Sequence, residues 1–314
     1  MSLASRLAPL NGNSSQGQEE NLKLPLVIGH RGACGYRPEN TMESFRLAFE
    51  QSADGIEFDI VTTRNGELII RHENALSSTT NIANVIELAG LRRQGTIDNH
   101  AVTDWFTEDL QLEQLKLVRA VERLPEVRPG SAKFDGMFSI PQFQEILQAE
   151  FIAGKYVVAE LKSGSHLDTL ARPIGELFAE QLEKTEISFN LVVESFDIQI
   201  LGNTKAELEK RGIAASYFFL LEQAQSDSAE TLLADFDGLS ISLQMLKSDP
   251  TWVSKVHDLR GQIWVYTARA EEADTSIEAY YEEIIQSGVD GIFADQPDLL
   301  RRVLQDSRGS AYDY

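Results

Sequence analysis

Apolar residues in this chain come in short runs that alternate with amphipathic stretches from residue 24 onward. Short runs rich in Val, Ile and Leu, closed by Gly, Asn or charged residues, are the pattern of buried strands. Strands are therefore expected at 24–29, 55–62, 68–71, 156–161, 191–196, 214–221, 238–243, 263–267 and 291–294. Asn65-Gly66, between the second and third runs, signals a hairpin. The run 68–71 is then a return arm, and eight strands remain for a main sheet. Amphipathic segments predict helices near 140–149 and over 167–185, 198–211, 228–236, 251–259, 273–287 and 297–306. One more helix is expected after Asn40, read as its N-cap, with Glu43 at the third helical position and Phe45, Leu47, Ala48 and Phe49 on the apolar face. Eight strands alternating with helices argue for an α/β fold, a TIM (β/α)8 barrel.

One stretch breaks the rhythm. Residues 75–139 are polar, carry Trp105, Phe106, Pro125, Pro129 and Gly130, and separate the second unit from its helix. A structureless loop of that length is uncommon in a compact domain. It is read as an inserted cap with its own helices, lying after a strand end and so at the catalytic face. Its expected work is to roof the mouth and choose among substrates, away from the chemistry. Residues 24–314 are read as a single catalytic barrel domain. Residues 1–23, rich in Ser, Asn, Gln and Glu, are read as a disordered arm without a signal-peptide core.

Composition narrows the function classes. The 314 residues, 42% hydrophobic and 25% charged, suffice for one large barrel. A net charge of −21 opposes binding to nucleic acid or anionic membrane. An anionic substrate would need a locally positive site. Cys34 is the single cysteine, which excludes an intrachain disulfide and a Cys-rich zinc site. No apolar run approaches the length of a membrane span.

The candidate chemistry gathers at strand ends. Glu57 and Asp59 share one face of an apolar strand. Burying two carboxylates together costs on the order of several kcal/mol unless a positive partner joins them. A bound cation, an Arg or Lys partner, or a shared proton would answer, and oxygen-only ligands suit Mg²⁺ or Ca²⁺. The plainer alternative is a salt-bridged pair or a half-wet edge strand. His30-Arg31-Gly32 ends the first run; Arg31 can fork onto phosphate oxygens and His30 can trade a proton. A loop histidine beside a surface ion pair is the alternative. His72 follows the hairpin return arm, and would otherwise be a solvent-facing histidine. Glu160 and Lys162 close another strand, as a further ligand with a phosphate contact, or as a self-neutralising pair. Ser195-Phe196, Trp264 and Tyr266 read as packing residues or aromatic walls. Asp295 reads as a turn or cap residue, and His100, His166 and His257 as structural or surface groups.

Taken together these motifs resemble the glycerophosphodiester phosphodiesterase family. The resemblance lies in His30-Arg31-Gly32, Arg37-Pro38-Glu39-Asn40-Thr41, Gly55-Ile56-Glu57-Phe58-Asp59, His72, Glu160-Leu161-Lys162, Trp264 and Gly291-Ile292-Phe293-Ala294-Asp295-Gln296-Pro297. It covers about residues 25 to 305, and the long insert is similar to that of exported bacterial members. The resemblance implies metal-dependent hydrolysis of glycerophosphodiesters to sn-glycerol 3-phosphate and an alcohol. Glu57, Asp59 and Glu160 would hold one divalent cation, Ca²⁺ or Mg²⁺. His30 and His72 would be the acid–base pair, and Arg31 and Lys162 would contact phosphate. Phe196 and Trp264 would shape the glycerol and leaving-group walls. Tyr266-Thr267 departs from the Val-Asn-like pair of many members. The nucleophile would be water or the neighbouring glycerol 2-hydroxyl. The implied partner is a small-molecule substrate, with no nucleic acid and no stable membrane insertion, in the periplasm or outside the cell, or else in the cytoplasm. A phospholipase of the same barrel type, or a silent phosphodiester-binding protein, are the competing readings.

Overall fold

The computed structural model describes residues 24–97, 100–162, 173–223 and 228–309. The arm expected over 1–23, the start of the helix expected over 167–185, and His166 lie outside the described residues. Eight parallel strands close a ring. In chain order they are β1 (Leu26–Gly29), β2 (Gly55–Thr62), β6 (Tyr156–Leu161), β7 (Asn190–Ser195), β8 (Ser216–Leu221), β9 (Gly238–Ser242), β10 (Gln262–Ala268) and β11 (Gly291–Ala294). Pairing of β1 with both β11 and β2 shuts the barrel. The return arm β3 (Leu68–Ile70) pairs antiparallel with β2 and stays outside the ring. This is the (β/α)8 barrel expected from the alternation of runs.

The period of two sorts each strand into an inner and an outer face. Val27, Ile56, Phe58, Ile60, Val157, Ala159, Val193, Ile263 and Val265 face outward, into the apolar layer shared with the helices. Their neighbours Ile28, Val158, Val192, Phe218, Trp264 and Phe293 face inward and fill the barrel centre. Glu57 and Asp59 on β2, Glu160 on β6 and Glu194 on β7 belong to that inner set, and Asp59, Glu160 and Glu194 stand level across the pairing registers. Apolar filling thus gives way to carboxylates toward the strand C-termini.

The helices covering the ring include α1 (Met42–Glu50) and those over Ile174–Glu183, Ile198–Lys210, Ile277–Gln286 and Pro297–Gly309. The cap of α1 differs from expectation. Thr41, not Asn40, is the N-cap, accepting from the Ser44 amide. Asn40 sits in the left-handed region at φ 57 and turns its side chain to the site. A second departure lies in residues 75–139. Besides 3₁₀ turns and the short helices α2 (Leu112–Leu115) and α3 (Pro129–Ala132), they hold a hairpin of β4 (Arg93–Ile97) and β5 (His100–Asp104). Its sequence alternates too weakly to announce a strand. Leu76, Ile82, Leu88, Trp105, Leu110, Leu115 and Val118 make a separate small core seated on Val61 of β2 and Ile69 of β3. No helix among the described residues is long and apolar enough to cross a membrane.

Gly32 carries one sharp requirement. Its φ is +81, and a Cβ there would lie 2.5 Å from the Ser44 backbone carbon. Gly32→Ala combines left-handed strain with a backbone clash, so stability should fall by about 2 kcal/mol or more. A urea melt checks this; an unchanged midpoint would mean that the turn after β1 tolerates a side chain.

Candidate active site

The inner-face carboxylates converge. One oxygen from each of Glu57, Asp59 and Glu160 lies within 4.8 Å of the others, and all three residues are buried. Lys162 Nζ stands 2.7 Å from Glu160 Oε1 and 3.0 Å from Asp59 Oδ1. Arg31 supplies its backbone amide to Glu57 Oε2 at 2.8 Å and its Nε at 3.3 Å from Asp59 Oδ2. It does so from φ 50, a left-handed conformation that is unusual for a side-chain-bearing residue and often marks a functional turn. Asn40 donates its amide to Asp59 Oδ2 at 2.8 Å and accepts from the Asp59 backbone N–H.

The local charges do not balance. Burial and the neighbouring Asp59 push the Glu57 carboxyl well above its ordinary range. Burial also pushes Glu160 up, to about 7, against the pull of Lys162 and with the help of Asp59. For Asp59 burial is outweighed by Lys162, His72 and Arg31, which hold it well below its ordinary range. Its Oδ1 is buried and lacks an aligned hydrogen bond. Three converging carboxylates, two of them resisting ionisation, form a hard-oxygen set that a divalent cation fits. Beyond them on β7, Glu194 is pushed up by burial to about 8, against the pull of the Ser240 Oγ hydroxyl that donates to it.

His72 lies near enough to Asp59 to help lower its carboxyl, His30 adjoins Arg31, and each of the two expected histidines has a carboxylate behind it. His30 Nδ1 is 2.6 Å from Asp295 Oδ1, and His72 Nδ1 is 2.7 Å from Glu73 Oε1. A carboxylate at Nδ1 favours the Nδ1–H tautomer and leaves Nε2 available to a further partner. Burial and Arg31, opposed by Asp295, bring His30 down to about 4; burial, Arg31 and Lys162 lower His72. Asp295 is therefore more than the turn residue its sequence suggested. Its carboxylate also meets Arg128 and Arg269. Those partners already satisfy it, although His30, Cys34 and Asp295 come close enough to outline a second ligand group.

Arg123 and Arg128 carried no signal in the sequence. Both come from residues 75–139, so that segment joins the site's hydrogen-bond network instead of standing apart from it. Glu39 accepts from Arg31 Nη1 at 3.1 Å. Arg71 is fully buried, with Nε and Nη2 unbonded, and faces Glu39 and Glu73. Phe196 is 38% exposed, its ring 6.0 Å from Lys162 Nζ and 5.9 Å from the ring of Tyr266. Trp264 lies elsewhere. It is 1% exposed, packed on Phe218 and Phe293 in the barrel centre, one inner layer below Tyr266.

A barrel with buried carboxylates, carboxylate-backed histidines and basic groups at its strand ends is the layout of an α/β-barrel phosphoric diester hydrolase. The chain belongs to the glycerophosphoryl diester phosphodiesterase family, whose pattern it matches over residues 30–299. It is 26% identical over 277 residues to a glycerophosphodiester phosphodiesterase of Caldanaerobacter subterraneus subsp. tengcongensis, covering 88% of this chain and 96% of that protein. A glycerophosphodiester phosphodiesterase of Arabidopsis thaliana is 33% identical over 133 residues, 42% of this chain but 35% of the plant protein, so that match spans about a third of its length. Among solved structures, a phosphodiesterase of Oleispira antarctica, in complex with the product sn-glycerol-3-phosphate, superposes with a TM-score of 0.68. It is 23% identical, covering 90% of this chain and 97% of that one, a likeness of fold. The activity class is phosphodiester hydrolysis, with glycerophosphodiesters as the substrate class.

Proposed function

We propose that this chain cleaves glycerophosphodiesters to sn-glycerol 3-phosphate and an alcohol, with His30 and His72 as the acid–base pair and a divalent cation, Ca²⁺ or Mg²⁺, held by Glu57, Asp59 and Glu160. The observation that carries this reading is the pairing of each histidine Nδ1 with its own carboxylate, together with the convergence of Glu57, Asp59 and Glu160. The product named for the Oleispira phosphodiesterase supports the same cleavage.

Bound there, the cation would neutralise charge building on the phosphoryl oxygens. Arg31 and Lys162, already against the same carboxylates, would hold the phosphate oxygens from two sides. The histidine on the nucleophile's side accepts its proton at Nε2. The other returns a proton to the departing alkoxide, a contribution of about 10²–10⁴-fold for such transfers. The two rings are depressed toward the neutral form, and the bound anionic diester favours the imidazolium in whichever acts as acid. The nucleophile we favour is the adjacent glycerol 2-hydroxyl, because attack within one molecule gains effective molarities on the order of 10⁵ M or more. A cyclic phosphate then forms and water opens it. Phe196 and Tyr266 would form the leaving-group wall, with Trp264 supporting it from below.

The direct test is release of glycerol 3-phosphate from glycerophosphocholine, with and without chelator; absence of any release from that and other glycerophosphodiesters would end the proposal. Arg31→Lys should lower kcat/KM by about 10–100-fold, the cost of one or two charge-assisted hydrogen bonds at about 1.5–3 kcal/mol. A lysine variant with full kcat/KM would show that Arg31 acts only as a charge.

A further inference from the structure

Each histidine's carboxylate is itself gripped by an arginine, and both arginines come from one loop of the insert. Arg123 forks onto Glu73, with Nη1 to Oε1 at 2.7 Å and Nη2 to Oε2 at 2.8 Å. Its Nε and Nη2 also reach Glu39, each at 2.7 Å, and Glu39 is the carboxylate that holds Arg31. Five residues on, Arg128 is 7% exposed. Its Nη2 donates to Asp295, its Nε to Glu271 and its Nη1 to the Cys34 carbonyl. The loop that carries them is built to stay in place. Buried Glu122 caps it from inside, accepting from the Leu124 amide at 2.9 Å and from Ser131 Oγ, while its own amide donates to Asp135 at 2.7 Å. The Arg128 and Val127 amides both close onto the Leu124 carbonyl.

We propose that Arg123 and Arg128 are positioning residues through which the insert sets the orientation of both catalytic histidines, Arg123 through Glu73 to His72 and Arg128 through Asp295 to His30. This rests on the acid–base reading above. A carboxylate that rotates freely lets the imidazole turn with it, and Nε2 then leaves the line of proton transfer. The two-pronged grip of Arg123 on Glu73, and the buried Arg128 Nη2 on Asp295, restrict that freedom and keep each carboxylate ionised against burial. The two clamps are unequal. Asp295 retains Arg269 Nε at 3.2 Å if Arg128 is lost. For Glu73, Arg123 is the one arginine in direct ion-pair contact among the described residues, Arg71 facing it only at longer range. Arg123 also couples His72 to Arg31 through Glu39, so one loop ties acid–base chemistry to phosphate contact. The insert is thereby part of the turnover apparatus, and trimming it should cost kcat more than KM.

The test uses the full chain with Arg123→Met and Arg128→Met, assayed on glycerophosphocholine and by NMR of ¹⁵N-histidine-labelled protein. Arg123→Met should lower kcat about 10–100-fold, as loss of a partner behind a functional histidine typically does, with KM little changed. Arg128→Met should do so less strongly. Each should move the Nδ1–H signal of its own histidine and leave the other's in place, a split that general loosening of the fold would not give. Arg123→Lys and Arg128→Lys, which keep charge but lose the fork, should recover part of kcat; they also serve as the test variants if a methionine variant does not fold. A folded variant with wild-type kcat, or a loss of kcat with its own histidine signal unmoved, overturns the proposal. His30→Ala and His72→Ala run in parallel separate the two readings. If they keep turnover the acid–base assignment falls; if they lose it while the arginine variants do not, only the clamp falls.

Discussion

His30→Ala and His72→Ala should each lose about 10²–10⁴-fold in turnover on glycerophosphocholine while the barrel stays folded. The size of the loss follows from what each ring offers. With Nδ1 committed to Asp295 or Glu73, Nε2 is the group left to move a proton, and alanine leaves nothing in its place. The fold should survive because the ion pairs behind the rings remain. Without His72, Glu73 keeps the two-pronged contact of Arg123. Without His30, Asp295 keeps Arg128 and Arg269. Neither substitution strands a buried charge, the usual route to losses of several kcal/mol. The double variant should lose little beyond the worse single, because groups that act as a unit are not additive. Single-turnover and steady-state rates with a thermal melt make the comparison. A folded His72→Ala chain at near-normal turnover would remove that residue from the reaction.

Removal of divalent metal should abolish activity, and Ca²⁺ or Mg²⁺ should restore it. Glu57, Asp59 and Glu160 offer oxygen donors only, so a hard cation fits and a soft one does not. Lys162 and Arg31 are the compensating cations already present, and two of the three carboxyls still resist ionisation. A divalent charge relieves that repulsion in the folded chain and finds no preassembled site in the unfolded one. Mass action then raises stability, by about 2.7 kcal/mol at a hundredfold excess over Kd. Asp59→Asn should lose both the activity and the metal-dependent rise in melting temperature. Full activity after exhaustive chelation, or a melting temperature indifferent to metal, would count decisively against the site.

Local pattern carried much of this protein. The period of two in β2 by itself put Glu57 and Asp59 on one face and Ile56, Phe58 and Ile60 on the other, because a pleated strand has only two sides. The same arithmetic put Glu160 and Lys162 on one face of their strand, and the recurrence of such runs between helices implied a closed parallel barrel. His30 and His72 were visible because strand ends deliver residues to the mouth of such a barrel. Tertiary structure decided what stands behind them. Asp295 is 265 residues from His30 in sequence and reaches it because β11 closes the ring beside β1. Asn40 carried the mark of a helix cap, but a left-handed turn hands that cap to Thr41 and sends the amide to Asp59. Trp264 read as packing or as a wall from its residues alone, and its depth along β10 puts it one layer beneath Tyr266 in the barrel filling. Arg123 and Arg128 lie in polar, irregular sequence with no period to read. Where such a loop folds back is set by its own small core on Val61 and Ile69 and by ion pairs across the mouth. Periodicity fixes which way a side chain faces, while the partner it meets depends on long-range packing that no local window contains.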